Sequence, residues 1–495
     1  MLINSDMASP SVHLCIMQPS GYVHSLGFID QARFFRYQFR RLGADVSIGK
    51  NRLRYDSINF IFGAHLMFDA DLTQRFRCVF VNLEQLGSGG AQVAPAYLQL
   101  LSASPVIDYD EANVAAYRKG GVSVPIITFA YAPYLALDEI TPLEERPIDI
   151  LFFGSINDRR QRMLQEIQAA GCGVGVMQFG LYGPERDHDI RRAKAVFNCH
   201  FYDSARFEQA RVFQCLSLGT PVICERTDTT LPPPQFEDSV FWLPSHRIRS
   251  FFENDFRAGT FFDAARRKLS DFPAHDVLKQ YGAAMAYARE QFASKSEQVI
   301  PWQPERLHIG SGKSYLPGWF NVDILESSQP DAILDLSQPI ELPAHLSCAT
   351  VGPVELRPDS VQFIYANNVL EHVGDLTRLM TNCLRLLQLG GQMLVEVPYE
   401  HAPSAWQDPT HVRAFNENSW MYYAEWFWYL GWFETRFTVL TIEYLDDKLV
   451  QSIRERAHFM RIRLQKVATT ASERMTARVM RPDFGGLPND DAIAV

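Results

Sequence analysis

The chain is 495 residues long, 47% hydrophobic and 21% charged, with a formal net charge of −10. That length allows roughly two to four domains of ordinary globular composition, and the acidic balance excludes a general nucleic-acid binder, which needs a basic face to displace counterions from phosphates. Eight scattered cysteines without a C-x-x-C pair suggest neither a disulfide framework nor a zinc site, and neither the basic-then-apolar pattern of a signal peptide nor a bilayer-length apolar run is expected from the sequence. A cytoplasmic protein without an integral membrane segment is therefore expected.

In chain order, residues 1–10 read as a loose leader and residues 12–17 as a buried strand running into the turn Gln18-Pro19-Ser20-Gly21. Residues 28–42 have helical spacing, with Phe28, Ala32, Phe35, Phe39 and Leu42 on one stripe. Strands are predicted at 58–62, 78–82, 106–109 and 124–129, and their alternation with helical patterns implies a parallel sheet covered on both faces. This makes residues 12–140 a first α/β lobe. After a polar connection at 137–147 the pattern restarts with a strand at 148–153 entering Gly154-Ser155, then a helix at 159–170. Strands near 174–179, 195–198 and 221–224 complete a second lobe, 148–295, and two such lobes facing each other leave a cleft.

Residues 250–292 are helical in pattern and end in the polar linker Ser294-Lys295-Ser296-Glu297. A third α/β domain, 303–445, has predicted strands at 307–309, 319–322, 332–334, 361–365 and 392–397, a helix at 377–389 and a long loop at 339–358. Residues 446–495, with Arg454, Arg456, Arg461, Arg463 and Lys466, read as a basic helix with a solvated face and a flexible tail.

The third domain opens on LHIGSGKSYLPGWFNVD, residues 307–323. Glycines after a first strand let backbone approach a ligand, and an acid ending the second strand accepts hydrogen bonds from ribose hydroxyls. Gly310, Gly312 and Asp323 hold those places. Tyr315 stands where a dinucleotide fingerprint has its third glycine, so a nicotinamide cofactor is disfavoured. Ten residues separate Gly312 from Asp323, which leaves room for only a stub of helix.

Further on come Asp335, YANNVLEHV at 365–373 and LLQLGGQMLVEVP at 386–398. Together these motifs resemble the class I S-adenosylmethionine-dependent methyltransferases. The resemblance implies S-adenosyl-L-methionine as cofactor, with Gly310 and Gly312 against its methionine part, Asp323 on the ribose, and Asp335 with Leu336 near adenine. Asn367 and the Leu370-Glu371-His372 turn would border the sulfonium and the acceptor; for Glu371 and His372 a plain helix cap is the other reading.

Methyl transfer needs an aligned acceptor and sometimes a base for its proton. His401, Asp408 and His411, in HAPSAWQDPTHVRAF, are the candidates alongside His372. Two histidines and an aspartate also suit a divalent metal, and D-P-T-H also reads as an Asx turn with a satisfied histidine. The preferred reading makes His411 a base or acceptor contact and assigns no metal site. Residues 419–433, SWMYYAEWFWYLGWF, read as core, with an aromatic platform for sugar rings as the alternative.

In the second lobe, ILFFGSINDRRQRML, FGLYGPERD and VFNCHFYDSARFEQARVFQCLSLGTPVICE resemble the sugar-nucleotide lobe of GT-B glycosyltransferases. A nucleoside diphosphate leaving group requires backbone donors or cations when no metal is used. The resemblance implies backbone donors at Gly154 and Ser155, a cation from Arg159, Arg160 or Arg211, and a clamp at Glu208. Gln214 replaces the acid usual for that family, and Glu208 with Arg211 also reads as an intrahelical ion pair.

The expected fold is α/β: two facing Rossmann-like, GT-B-like lobes, then a Rossmann-like class I methyltransferase domain and a C-terminal helix. The expected function is bifunctional glycan modification, with sugar transfer from a nucleoside-diphosphate sugar and O-methylation of a saccharide or glycoconjugate acceptor. The rivals are methylation alone with a non-catalytic first module that binds a glycan or nucleotide sugar, and an assembly scaffold. Oligomeric state has no signature in the sequence.

Overall fold

A computed structural model describes residues 11–118, 123–136, 141–177, 180–293 and 300–482. The predicted leader, the linker 294–297 and most of the predicted tail lie outside these residues. The chain divides into two compact units, Met1–Ser296 and Glu297–Val495.

The first unit holds two five-stranded sheets. Strands β1 Ser11–Ile16, β2 Val46–Lys50, β3 Ser57–Phe62, β4 Arg77–Asn82 and β5 Val106–Asp108 lie in the order β2-β1-β3-β4-β5, all parallel. Strands β6 Ile148–Phe152, β7 Val174–Val176, β8 Ala193–Asn198, β9 Val222–Arg226 and β10 Phe241–Pro244 repeat that arrangement as β10-β9-β8-β6-β7. Both are doubly wound sheets of order 2-1-3-4-5, in which the crevice for a ligand opens at the carboxyl ends beside the first strand.

The predicted strand at 124–129 is not part of the ladder beyond one bridge, Asp108 to Ile126. Its backbone is satisfied by side chains instead. Gln280 Oε1 accepts from Thr128 N at 2.8 Å, Gln209 Oε1 from Phe129 N at 3.0 Å, and Gln235 Nε2 donates to Phe129 O at 2.7 Å. The fifth strand is β2, an edge strand whose half-buried pattern gives little periodic signal.

A common core joins the two lobes. Helix Phe28–Arg41 buries Ala32, Phe34, Phe35 and Phe39, while the predicted stripe's last member, Leu42, is exposed. Helix Leu278–Phe292 brings Tyr281 back onto Phe34, Phe35 and Phe39, with ring centroids 5.6, 5.0 and 6.0 Å away. Phe129 stacks on Phe213 at 4.8 Å, and Arg186 reaches Asp30 in a buried ion pair of 2.8 Å. Large apolar burial and a paired internal charge make the lobes one packed body rather than two bodies on a hinge.

The second unit is built on β11 Arg306–Ile309, β12 Phe320–Asp323, β13 Ala332–Ile333, β14 Ala344–Cys348, β15 Gly352–Leu356, β16 Val361–Asn367, β17 Leu387–Pro398, β18 Thr435–Leu445, β19 Gln451–Ser452 and β20 Phe459–Ala468. Its main sheet runs β13-β12-β11-β16-β17-β20-β18-β19. From β13 to β17 the strands are parallel and doubly wound, with the switch point between β11 and β16. Strand β20 then enters antiparallel between β17 and β18.

Two expectations change here. The predicted loop 339–358 contains the antiparallel hairpin β14–β15. The predicted basic helix after residue 446 is largely strand, because the arginines alternate with apolar residues at period two. Met460, Ile462 and Leu464 are fully buried, while Arg461 on the other face bonds Glu396 at 2.7 Å. A helix occupies only Ala471–Met480. Among the described residues no helix is long and apolar enough to cross a membrane.

Candidate functional site

In the second unit the carboxyl ends of β11, β12, β16 and β17 open on one edge of the sheet. Gly310 and Gly312 form the turn after β11, with φ of +62° and +49°. A Cβ on Gly310 would sit 2.3 Å from Val369 Cγ2, so the turn after β16 lies directly on the glycine turn. Gly312 N donates to Asp323 Oδ2 at 2.8 Å, and Leu325 N donates to Asp323 Oδ1 at 2.8 Å. Asp323 is thus fixed by two amides, and each oxygen keeps a further lone pair. Ser311 Oγ, buried between the two glycines, has no hydrogen-bond partner among the described residues.

The connection from β11 to β12 has no helix at all, where the sequence reading expected a stub. Asn321 replaces it. Its side chain accepts from Leu316 N at 2.9 Å and donates to the carbonyls of Leu316 and Trp319, each at 2.9 Å, so one buried amide satisfies a turn that a helix would otherwise satisfy. Asp331 accepts from Asn321 N at 2.8 Å and from Tyr315 OH at 2.8 Å, closing the network. The sequence pattern gave no sign of this role for Asn321.

Of the other predicted cofactor residues, Asp335 is exposed and bonds Ser337 N at 2.9 Å and Ser337 Oγ at 2.6 Å. Leu336 is buried, and its carbonyl accepts from Asn382 Nδ2 at 2.8 Å. Asn367 ends β16 and accepts from Asn368 Nδ2 at 3.0 Å.

The predicted catalytic residues separate into two groups. His401 is solvent-exposed beside Glu400 and Tyr399. His372 and His411 meet, with ring centroids 4.7 Å apart. Glu371, not among the predicted catalytic residues, joins them: one ligand atom from each of Glu371, His372 and His411 lies within 4.8 Å of the other two. Glu371 is 1% exposed and neither carboxylate oxygen has a hydrogen-bond partner among the described residues. Burial pushes its carboxyl up to about 7, against the opposing pull of its own backbone amide and, more weakly, of His411. Asp408 acts one bond further out. Its Oδ1 accepts from Thr410 N at 2.8 Å, an Asx turn, and from the Thr410 hydroxyl at 2.6 Å, and the Thr410 hydroxyl in turn lies 2.9 Å from His372 Nδ1.

The aromatic stretch after this cluster divides by face. Trp420, Tyr423, Phe427 and Trp432 are buried, as the core reading expects. Tyr422, Trp426 and Tyr429 stay exposed and touch one another, with centroids 5.2, 5.7 and 6.2 Å apart.

In the first unit a cleft of about 850 Å³ lies between the lobes, lined by Tyr22 and Glu84 from one side and by Gly154, Ser155, Glu208 and Arg211 from the other. Glu208 stands at the residue preceding helix Gln209–Ser217, and its side chain is held by two cations, Arg160 at 2.7 Å and Arg211 at 2.9 Å, rather than by the helix amides. The ion pair between Glu208 and Arg211 is therefore present, but it is half of a triad. Gly154 sits at φ +126°, a conformation that favours glycine, and a Cβ there would stand 2.9 Å from the movable end of Arg211. Arg159 is a correction. It pairs with the buried Glu225 and with His200 O, and Arg160 lines the cleft in its place. The two arginines are adjacent on one helix and point different ways, so sequence spacing did not separate them.

No protein-family model matches the chain. A curated relative, the uncharacterized protein L137 of Acanthamoeba polyphaga mimivirus, is 23% identical over 224 residues, which is 43% of this chain. The chain spans only 29% of that relative's length. Among solved structures, an S-adenosylmethionine-dependent methyltransferase from Mesorhizobium loti aligns with 36% of this chain and 96% of its own, at 14% identity and a TM-score of 0.22. One from Archaeoglobus fulgidus aligns with 36% of this chain and 90% of its own, at 13% identity and a TM-score of 0.24. Overlaps this slight carry no weight for function, which rests on the side chains described above.

Proposed function

We propose that the second unit transfers a methyl group from S-adenosyl-L-methionine to an oxygen of a saccharide or glycoconjugate, and that the first unit transfers sugar from a nucleoside-diphosphate sugar. The observation that carries the first half is the glycine turn tied through Gly312 N to Asp323, 2.8 Å away, at the switch point of a doubly wound sheet. The residues present suit the cofactor. Gly310 admits no side chain, Asp323 keeps acceptor capacity for a ribose diol, and Ser311 Oγ is buried and unpartnered. Bound there, the cofactor supplies a methyl group on a cationic sulfur.

The chain's own part is to hold the acceptor in line and to receive its proton. Glu371, His372 and His411 lie beyond Val369, whose side chain covers Gly310, and so border the same edge. The exposed Tyr422, Trp426 and Tyr429 offer faces of the kind on which sugar rings stack, which supports a saccharide acceptor. Calorimetry with S-adenosylhomocysteine tests the cofactor. Binding that Asp323→Ala abolishes is the expected result, and no binding by the unsubstituted chain would end the reading.

For the first unit, the cleft between two carboxyl edges and the Arg160–Glu208–Arg211 triad support an anionic donor. The same triad favours a second reading in which this unit only binds a glycan or nucleotide sugar. Glu208 neutralises one of the two cations, leaving a single net positive charge for a diphosphate. Transfer or hydrolysis across a panel of sugar nucleotides decides between them, since binding without turnover supports the second reading.

A further inference from the structure

We propose that Glu371, His372 and His411 form a binding site for one divalent transition-metal ion, with coordination positions left for solvent or an acceptor oxygen. Three observations converge on it. First, the set is of the right kind: two imidazoles and a carboxylate are the usual protein ligands of an open zinc, iron or manganese centre. Their ligand atoms lie within 4.8 Å of one another, and an ion bound at about 2.0–2.2 Å would draw them to roughly 3.5 Å apart, a shift that side-chain rotation supplies.

Second, the buried carboxylate meets no cationic side chain at ion-pair distance among the described residues. Glu371 is 1% exposed with both oxygens unpartnered, and a buried carboxylate is expensive unless it is protonated or meets a cation. Arg413, two residues after His411, donates instead to the carbonyls of Val373 and Gly374, at 2.7 and 2.8 Å.

Third, the outer hydrogen bonds set both histidines to the same tautomer. His411 Nδ1 faces the carbonyl of Ala405 at 2.9 Å, so that nitrogen carries the proton and Nε2 keeps its lone pair. At His372 the argument runs through Thr410. Its hydroxyl donates to Asp408 Oδ1 at 2.6 Å, so its oxygen accepts from His372 Nδ1 at 2.9 Å, again leaving Nε2 as the free lone pair. A carbonyl behind one imidazole and a carboxylate relayed to the other is how outer groups orient metal-binding histidines. Asp408 and Thr410 are then positioning residues.

The site stands on this geometry alone; its consequence for catalysis rests on the methyl-transfer reading, where an ion would lower the pKa of an acceptor hydroxyl. The test uses the full chain, without an affinity tag and stripped by chelator, titrated by calorimetry with Zn²⁺ and, separately, Mn²⁺. S-adenosylhomocysteine binding is measured on the same samples. The expected result is one ion per chain, weakened at least about tenfold by His411→Ala and by Glu371→Gln, and about tenfold by Thr410→Val through the outer bond. His345→Ala, on the exposed strand β14, leaves the titration unchanged, and thermal melts establish that each variant is folded. Should any variant fail to fold, the visible bands of bound Co²⁺ in the unsubstituted chain report whether imidazole nitrogens hold the ion. Absence of ion binding, or binding that none of the three substitutions weakens, overturns the site even if S-adenosylhomocysteine binds. An ion bound in a chain that ignores S-adenosylhomocysteine would instead remove the methyl-transfer reading and leave the site standing.

Discussion

At the scale of single residues, the glycine turn makes the sharpest demand. Gly310→Ala places a methyl 2.3 Å from Val369 Cγ2 at a φ of +62°, and overpacking of this kind costs about 1–3 kcal/mol. Thermal melts should show that loss, with partial recovery in the double variant Gly310→Ala, Val369→Ala, since the clash is relieved and the backbone strain is not. Asp323→Asn removes the charge but keeps an acceptor for Gly312 N, and its expected effect is roughly tenfold weaker S-adenosylhomocysteine binding by calorimetry. In the first unit His13 is 4% exposed between Ser47 and the carbonyl of Arg52, and burial pushes its imidazole down from the ordinary 6.5 to about 4. A lowered folded pKa means that the unfolded chain takes the proton first. Stability is then full above pH 6.5 and falls as pH drops toward 4, by at most about 3 kcal/mol. Urea midpoints at pH 7.5 and 5 should differ less in His13→Gln than in the parent; an equal difference would sink the assignment.

At the scale of elements, β20 decides whether the second unit folds. It is paired on both sides, by β17 and by β18, and its inward residues Met460, Ile462 and Leu464 are 0% exposed. Ile462→Ala should cost about 2–5 kcal/mol, read from denaturant midpoints. A chain stopped at residue 445, the boundary the sequence suggested, would leave the edges of β17 and β18 unpaired and should aggregate rather than bind S-adenosylhomocysteine. That boundary was misread for a physical reason. Charge density alone reads as a helix face, whereas the alternation of Arg461 and Arg463 with apolar neighbours has the period of a strand. By contrast β1, β3, β4, β6, β11 and β16 were legible, because central strands are mostly apolar and buried along their length. The edge strands β2 and β10, half buried, were not.

At the scale of the whole molecule, the two units should respond separately to their own ligands. A ligand that binds only the folded state at about a hundred times its Kd adds roughly 2.7 kcal/mol to the unit that holds it. Scanning calorimetry of the full chain should therefore show S-adenosylhomocysteine raising one transition and a nucleoside diphosphate raising the other. A single transition moved by both ligands would mean that the units unfold together.

The sequence by itself determined the α/β class, the doubly wound pattern and the proximity of Gly310, Gly312 and Asp323, because strand, glycine turn and acid are local and lie on neighbouring strands. It also placed Glu208 beside Arg211, one helical turn away. Tertiary structure alone decided that Arg160 rather than Arg159 faces the cleft, and that Asn321 stands in for a missing helix. It also decided that Glu371 and His372 meet His411 across about 40 residues of chain, brought together where the turns after β16 and β17 share one edge of the sheet. Contacts of that separation depend on how strands are ordered in the sheet, and the period of a sequence carries no information about that order.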